Sequence, residues 1–192
     1  MQNDIYIWDD FKKGKESAAS HIYHKNVDFL YFYGKKFTHN EDLILDTIQE
    51  LFYYLIKNRK KLGTTDNIRL YLIKSFRRRL LQEINKERKY INIEEGYDFN
   101  ITFSPEKALI LNEENSQKIK YVKKAIKELN QKQREILYYK FTCGYEYDQI
   151  CEIMSVSYDS ARQLTSRAIN LMKKLLPKYD LNLFLIFKTL VN

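Results

Sequence analysis

The sequence predicts an all-α protein built as two small helical domains. Three observations predict it. Apolar residues recur at threes and fours in segment after segment, the spacing of one buried helical face. Helix-start residues (Asn40, Ser104-Pro105, Asn130 and Ser157) stand ahead of those segments. One stretch, 91–103, loses the periodicity and divides the chain. Five Gly and two Pro in 192 residues, on a background rich in Leu, Ile, Lys and Glu, favour helices. The 16 Tyr and 11 Phe suit strands equally well, so composition alone does not settle the class.

The elements follow in order. Ile5, Ile7, Trp8 and Phe11 form an apolar edge that packs on what comes next, and Gly14 separates it from a helix over 16–37. In that helix Tyr23, Val27, Leu30, Tyr31 and Gly34 make the expected buried stripe. The dense aromatics Tyr23, Phe29, Tyr31, Phe32, Tyr33 and Phe37 are expected to be mostly core. Asn40 caps the next helix, 41–57, with Glu41 and Asp42 at the positive end of its dipole. Ile44, Ile48, Leu51 and Leu55 face inward there. Its other side carries Asp42, Asp46, Gln49 and Glu50 with Phe52 and Tyr53 nearby, which is either ordinary surface or a protein-binding face.

A Gly63-Thr64-Thr65-Asp66 loop leads to a helix over 67–89. Ile68, Leu72, Ile73, Phe76, Leu80 and Ile84 form its core stripe; Lys74, Arg77, Arg78, Arg79, Lys86, Arg88 and Lys89 crowd the rest. Residues 91–103 read as a solvated linker between domains 1–90 and 104–192. A helix restarts at Ser104-Pro105-Glu106 and runs to Leu129 with a break near Asn115. Asn130 and Gln133 make a capping-box start for a helix over 131–141, which Gly144 ends. The tail 178–192 is apolar and reads as a terminal helix packing on the second domain.

Residues 147–174 (YDQICEIMSVSYDSARQLTSRAINLMKK) read as a helix-turn-helix. Ile150 and Met154 share a face, Val156 plugs the turn, and Leu164 and Ile169 close the second helix. Small Cys151 and Ala161 fall where the helices approach. Ser157 is the N-cap of the second helix and Pro177 its stop. Its exposed positions Tyr158, Asp159, Ser160, Arg162, Gln163, Ser166 and Arg167 suit base edges and phosphates. A helical hairpin that merely packs shares the spacing.

The net charge of +8 points to an anionic partner. Twelve Lys/Arg against three Asp/Glu lie in 57–89, and the remaining 21 basic and 22 acidic residues nearly cancel. The whole excess therefore sits outside the helix-turn-helix. Cys143 and Cys151 form no CxxC pair and lie far from His21, His24 and His39, so neither a zinc site nor a disulfide framework is expected. No signal peptide, no membrane-length stretch and no catalytic constellation or cofactor motif is present, so a cytoplasmic non-enzyme is expected.

DTIQELFYYL at 46–55 resembles the D-x-x-Q-E-x-F segment of bacterial RNA polymerase sigma factors. ELNQKQREILYYKFTCGYEYDQICEIMSVSYDSARQLTSRAINLMKKLL at 128–176 resembles their C-terminal DNA-binding domain (region 4). The opening WDDFKKGKESAASHIYHKNVDFLYFYGKKF is similar to the start of the small two-domain members, the extracytoplasmic-function sigma factors, in particular those of Bacteroidetes. The resemblance covers nearly the whole chain. It implies that Asp46, Gln49, Glu50 and Phe52 bind a coiled coil of the polymerase β′ subunit. It implies that the basic helix, in a region 2-like domain, contacts the downstream promoter element and single-stranded bases, and that the 158–167 helix reads the upstream element. An anti-sigma factor is the further partner it implies. Departures are Arg78 in place of a common Asn, Gln82 and Asn85 in place of an acid and an Arg, Ser155 for a turn Gly, and Cys151 for Ala. Two alternatives stay open: a stand-alone helix-turn-helix regulator, and an interaction protein that retains the fold without initiating transcription.

Overall fold

The computed structural model describes residues 2–90, 97–101 and 113–176. The expected helix start at Ser104-Pro105, the stop at Pro177 and the apolar tail lie outside them. Among the described residues every regular element is helical. The chain divides into two compact units, Met1–Asp98 and Phe99–Asn192.

The first unit holds α1 (Gln2–Lys12), α2 (Glu16–Gly34), α3 (Glu41–Asn58), a 3-10 turn (Arg59–Lys61) and α4 (Ile68–Tyr90). Asn40 caps α3 as expected, its Oδ1 accepting from the Leu43 amide at 3.1 Å; such a cap contributes about 1 kcal/mol. The start of α4 is satisfied twice. Asn67 Oδ1 accepts from the Leu70 amide at 2.9 Å, and Asp4 Oδ2, from α1, accepts from the Ile68 amide at 3.0 Å. The first helix is thereby tied to the fourth. Trp8 adds to this tie: its Nε1 donates to Gly63 O at 2.8 Å and its ring packs 4.9 Å from Tyr71.

The predicted inward stripes of α3 and α4 are all buried, from Ile44 to Leu55 and from Ile68 to Ile84. That of α2 is the one expected only at Leu30 and Gly34. Ala18, Ile22, Asn26, Leu30, Tyr33 and Gly34 face the core, whereas Tyr23 is exposed and Val27 and Tyr31 are half-buried. Asn26 tolerates burial because its Nδ2 donates to Ile22 O at 2.8 Å. Of the six clustered aromatics only Tyr33 and Phe37 are buried, and Phe32 stands 65% exposed. Gly34 marks where α2 crosses α3 and α4: a Cβ there would lie 2.8 Å from Ile44 Cγ2.

The second unit holds α5 (Glu113–Lys127), α6 (Gln131–Leu137), a π turn (Tyr138–Thr142), α7 (Tyr147–Met154) and α8 (Tyr158–Leu175). From Glu113 to Lys127 α5 is unbroken, and the residues ahead of it, where the expected break near Asn115 would join the upstream helix, lie outside the described ones. The Asn130–Gln133 capping box is present, with 2.9 Å and 3.0 Å bonds. The helix expected to run on to Phe141 widens instead after Leu137: the Cys143 amide reaches Tyr138 O at 3.0 Å, five residues back. This wider turn buries Tyr138 and Tyr139 together. Gly144, at φ +69°, ends it as expected.

Within the stretch expected to be a solvated linker, Phe99 is fully buried and Ile101 is 9% exposed. Phe99 packs on Tyr138 at 5.6 Å, and its carbonyl accepts from Arg134.

Candidate nucleic-acid interface

The helix-turn-helix is built from local signals. Glu146 opens α7 with a capping box, its own amide donating to Gln149 Oε1 at 2.9 Å. Ser155 turns the chain in the left-handed conformation, φ 55°. Ser157 caps α8, its Oγ accepting from the Ser160 amide at 3.2 Å. Ile150 and Met154 are buried as expected, together with Ile153. The inner face of α8 matches the expectation at Ala161 and differs elsewhere. It is Ala161, Thr165, Ala168 and Met172, while Val156, Leu164 and Ile169 are half-buried. Small side chains on that face let α8 lie close to α5, α6 and α7, and Thr165 hides its hydroxyl by donating to Ala161 O at 2.9 Å. Cys151 is half-buried, and burial, then the Asp148 carboxylate, pushes its thiol pKa above the usual value.

The outer face of α8 carries all seven predicted reading residues. Tyr158, Asp159, Ser160, Arg162, Gln163, Ser166 and Arg167 are exposed. Tyr158 is braced edge-on by Tyr147 at 5.6 Å, whose other support is Lys140, its Nζ 4.9 Å from the Tyr147 centroid. A helix entering a groove with hydroxyl, amide, guanidinium and carboxylate groups on one face can both hold phosphates and distinguish base edges.

The basic helix α4 is less open than its sequence suggests. Lys74, Arg78 and Lys86 are exposed, and Lys86 lies 2.7 Å from Glu83. Arg77 and Arg79 are half-buried, folded over the rings of Tyr97 at 5.8 Å and Tyr54 at 4.6 Å. The side chains of Arg88 and Lys89 lie outside the described residues. Tyr71 sits within this group. Its own burial, then Tyr54, raises its pKa, and Arg78 and Arg79 lower it.

On α3, Asp42, Asp46, Gln49 and Glu50 are exposed as expected. Phe52, expected to be an aromatic anchor of that face, is only 7% exposed, because its ring is packed edge-on against Tyr23 of α2 at 4.9 Å. The apolar groups on that side are Leu45, 49% exposed, and Ile56, 47% exposed, in line with Gln49 between them. Ile56 and Phe52 border a cavity of about 220 Å³ shared with Phe11, Tyr23 and Leu55. The sequence carried this signal as a second apolar line, Leu45–Phe52–Ile56, beside the core stripe.

Residues 119–172 match the family model for sigma-70, region 4, and the match spans the whole helix-turn-helix. The likeness to that family is carried by this segment, which is under a third of the chain. No curated protein matches it. Two solved structures share its fold. CnrH, in complex with the cytosolic domain of CnrY, matches with TM-score 0.57 at 11% identity, over 91% of this chain and 97% of that one. The sigma factor RpoE of Bartonella quintana, in complex with the anti-sigma factor NepR, matches with TM-score 0.58 at 16% identity, over 83% of this chain and 96% of that one. At these identities the likeness is one of fold. The region 4 match runs from within α5 to within α8. Among the described residues no helix is long and apolar enough to cross a membrane.

Proposed function

We propose that this chain is an RNA polymerase sigma factor of the extracytoplasmic-function kind, a cytoplasmic, non-enzymatic subunit that directs core polymerase to promoters. The observation that carries this reading is the region 4 match lying on a helix-turn-helix whose outer face is wholly exposed. In this reading Tyr158, Asp159, Ser160, Arg162, Gln163, Ser166 and Arg167 read the upstream element in the major groove. Lys74, Arg77, Arg78, Arg79, Lys86, Arg88 and Lys89 serve the downstream element, where the local charge excess favours melted, anionic strands. Asp46, Gln49 and Glu50 bind the β′ subunit, with Phe52 as the buried support of that face and Leu45 and Ile56 as its apolar contacts. Domain 1–90 then holds the polymerase and downstream contacts, 104–192 the upstream reader, with 91–103 between them. An anti-sigma factor is the regulator proposed, in keeping with the RpoE–NepR complex.

Run-off transcription with purified core polymerase tests the reading. Transcription that depends on the chain, lost when Gln49 and Ile56 are both replaced by Asp, is the expected result. A chain that never associates with core enzyme, or that shifts promoter DNA without it, overturns the reading.

A further inference from the structure

We propose that Tyr54 is a positioning residue for DNA: its ring holds the Arg79 guanidinium in place to receive a backbone phosphate of single-stranded DNA. This rests on the reading of α4 as a DNA-contacting helix. Tyr54 lies on α3, outside both the core stripe and the acidic face. It is 45% exposed. Arg79 Cζ stands 4.6 Å from its ring centroid, over the ring.

Three features make this more than ordinary packing. First, Arg79 Nε is buried with no hydrogen-bond partner, and Arg79 makes no ion pair among the described residues. A guanidinium carries five in-plane donors and a permanent charge. Stacking uses only its face and Nε is buried, so it is the terminal Nη groups that still need an acceptor. Second, Tyr54, Arg78 and Arg79 all lie near enough to act on Tyr71, and no carboxylate is among the groups that act on it. The acceptor that fits two guanidiniums beside two aromatic rings is an anion attached to a flat apolar ring, which is what unpaired DNA presents. Third, the Tyr71 ring beside this stack is held in place. Trp8 packs on Tyr71 at 4.9 Å and is itself anchored to Gly63 O at 2.8 Å, so little side-chain freedom is left to lose on binding.

The test uses the full chain assembled with core polymerase and fluorescein-labelled oligo(dT), titrated across a salt series. Each single-strand phosphate contact adds about 0.7 to the slope of log Kobs against log salt. Arg79→Gln is expected to lower the slope by about that amount. Tyr54→Leu is expected to lower it as much although it removes no charge, and to weaken binding about 3- to 10-fold. Tyr54→Phe keeps the stack and both values. The double variant Tyr54→Leu/Arg79→Gln is expected to be no worse than Arg79→Gln alone. Core binding, read separately with labelled polymerase, stays at the wild-type level in every variant. Oligonucleotide binding by wild type that Tyr54→Leu leaves intact overturns this proposal alone, as do additive losses in the double variant. A wild-type assembly that fails to form or to bind the strand overturns it together with the sigma-factor reading.

Discussion

Arg134 bolts Phe99 to the second unit. Its Nε donates to Phe99 O and its Nη1 to Leu129 O, each at 2.7 Å, so one guanidinium joins an irregular segment to the end of α5. Hydrogen bonds from a charged donor contribute about 1.5–3 kcal/mol. Arg134→Met is expected to destabilise the second unit by that order in urea unfolding. Phe99→Ala, which empties a fully buried aromatic site, is expected to cost about 3–5 kcal/mol. An unchanged urea midpoint in both would show that the segment does not belong to the folded unit.

This contact also explains what the sequence could and could not disclose. The inward faces of α3 and α4 are legible because each is decided by spacing within its own helix. The face of α2 is not, because apolar and aromatic residues surround that helix. Periodicity then selects Tyr23, Val27 and Tyr31, whereas the buried line runs through Ala18, Ile22 and a self-satisfied Asn26. Burial of Phe52 and Phe99 depends on Tyr23 and Arg134, which lie far away in sequence. In α8 the caps and the exposed reading face were legible from residue type. Of the inner face only Ala161 was legible, as a small residue at the approach; hydrophobicity points to Leu164 and Ile169, while close helix approach also selects Thr165 and Ala168.

Close approach elsewhere gives a second prediction. In Gly34→Ala the new methyl would meet Ile44 Cγ2 at 2.8 Å and Phe76 Cζ at 3.2 Å. Overpacking of this kind costs about 1–3 kcal/mol, against about 1 kcal/mol gained in helix propensity. The first unit is expected to melt earlier, and Ile44→Val in the same chain to restore part of the loss. A more stable Gly34→Ala chain would mean that the crossing has room to spare.

Ser155 offers the reverse change. At φ 55° a serine occupies the left-handed region where glycine is unstrained. Ser155→Gly is expected to stabilise the second unit by about 0.5–1 kcal/mol, after the entropic cost of glycine is deducted. Ser155→Val, whose branched Cβ tolerates this conformation least, should move the thermal transition downward.

Cys151 is expected to be a slow thiol. Burial first, and Asp148 second, hold its pKa above the ordinary value, so its thiolate is scarcer at neutral pH than that of a free cysteine. The sign for stability follows. A raised acid pKa favours the neutral folded form below the unfolded thiol's pKa, and that preference is lost as pH rises through the folded value. Iodoacetamide labelling followed by peptide mass analysis should find Cys151 slower than free cysteine at neutral pH and accelerating only in alkali. Asp148→Asn should bring part of that acceleration to lower pH. Rapid neutral labelling would reopen a redox-sensing role.

The reading face of α8 carries the last prediction. Arg162 and Gln163 are both exposed, away from the inner face of Ala161, Thr165 and Ala168. Replacing both with Ala removes no core contact, so stability should stay within about 0.5 kcal/mol of wild type. Core-polymerase binding, which we propose uses α3, should also be unchanged. A bidentate contact of Arg or Gln with a base discriminates by about 1–3 kcal/mol, so promoter-dependent transcription should fall about tenfold or more. Non-specific DNA binding should fall far less, because phosphate contacts from Arg167 and Ser166 remain. The Gln49/Ile56 variant should show the opposite pattern, losing polymerase while leaving the α8 face intact. If promoter choice survives the Arg162/Gln163 change, α8 is a packing helix, and promoter choice must lie with the basic residues of α4.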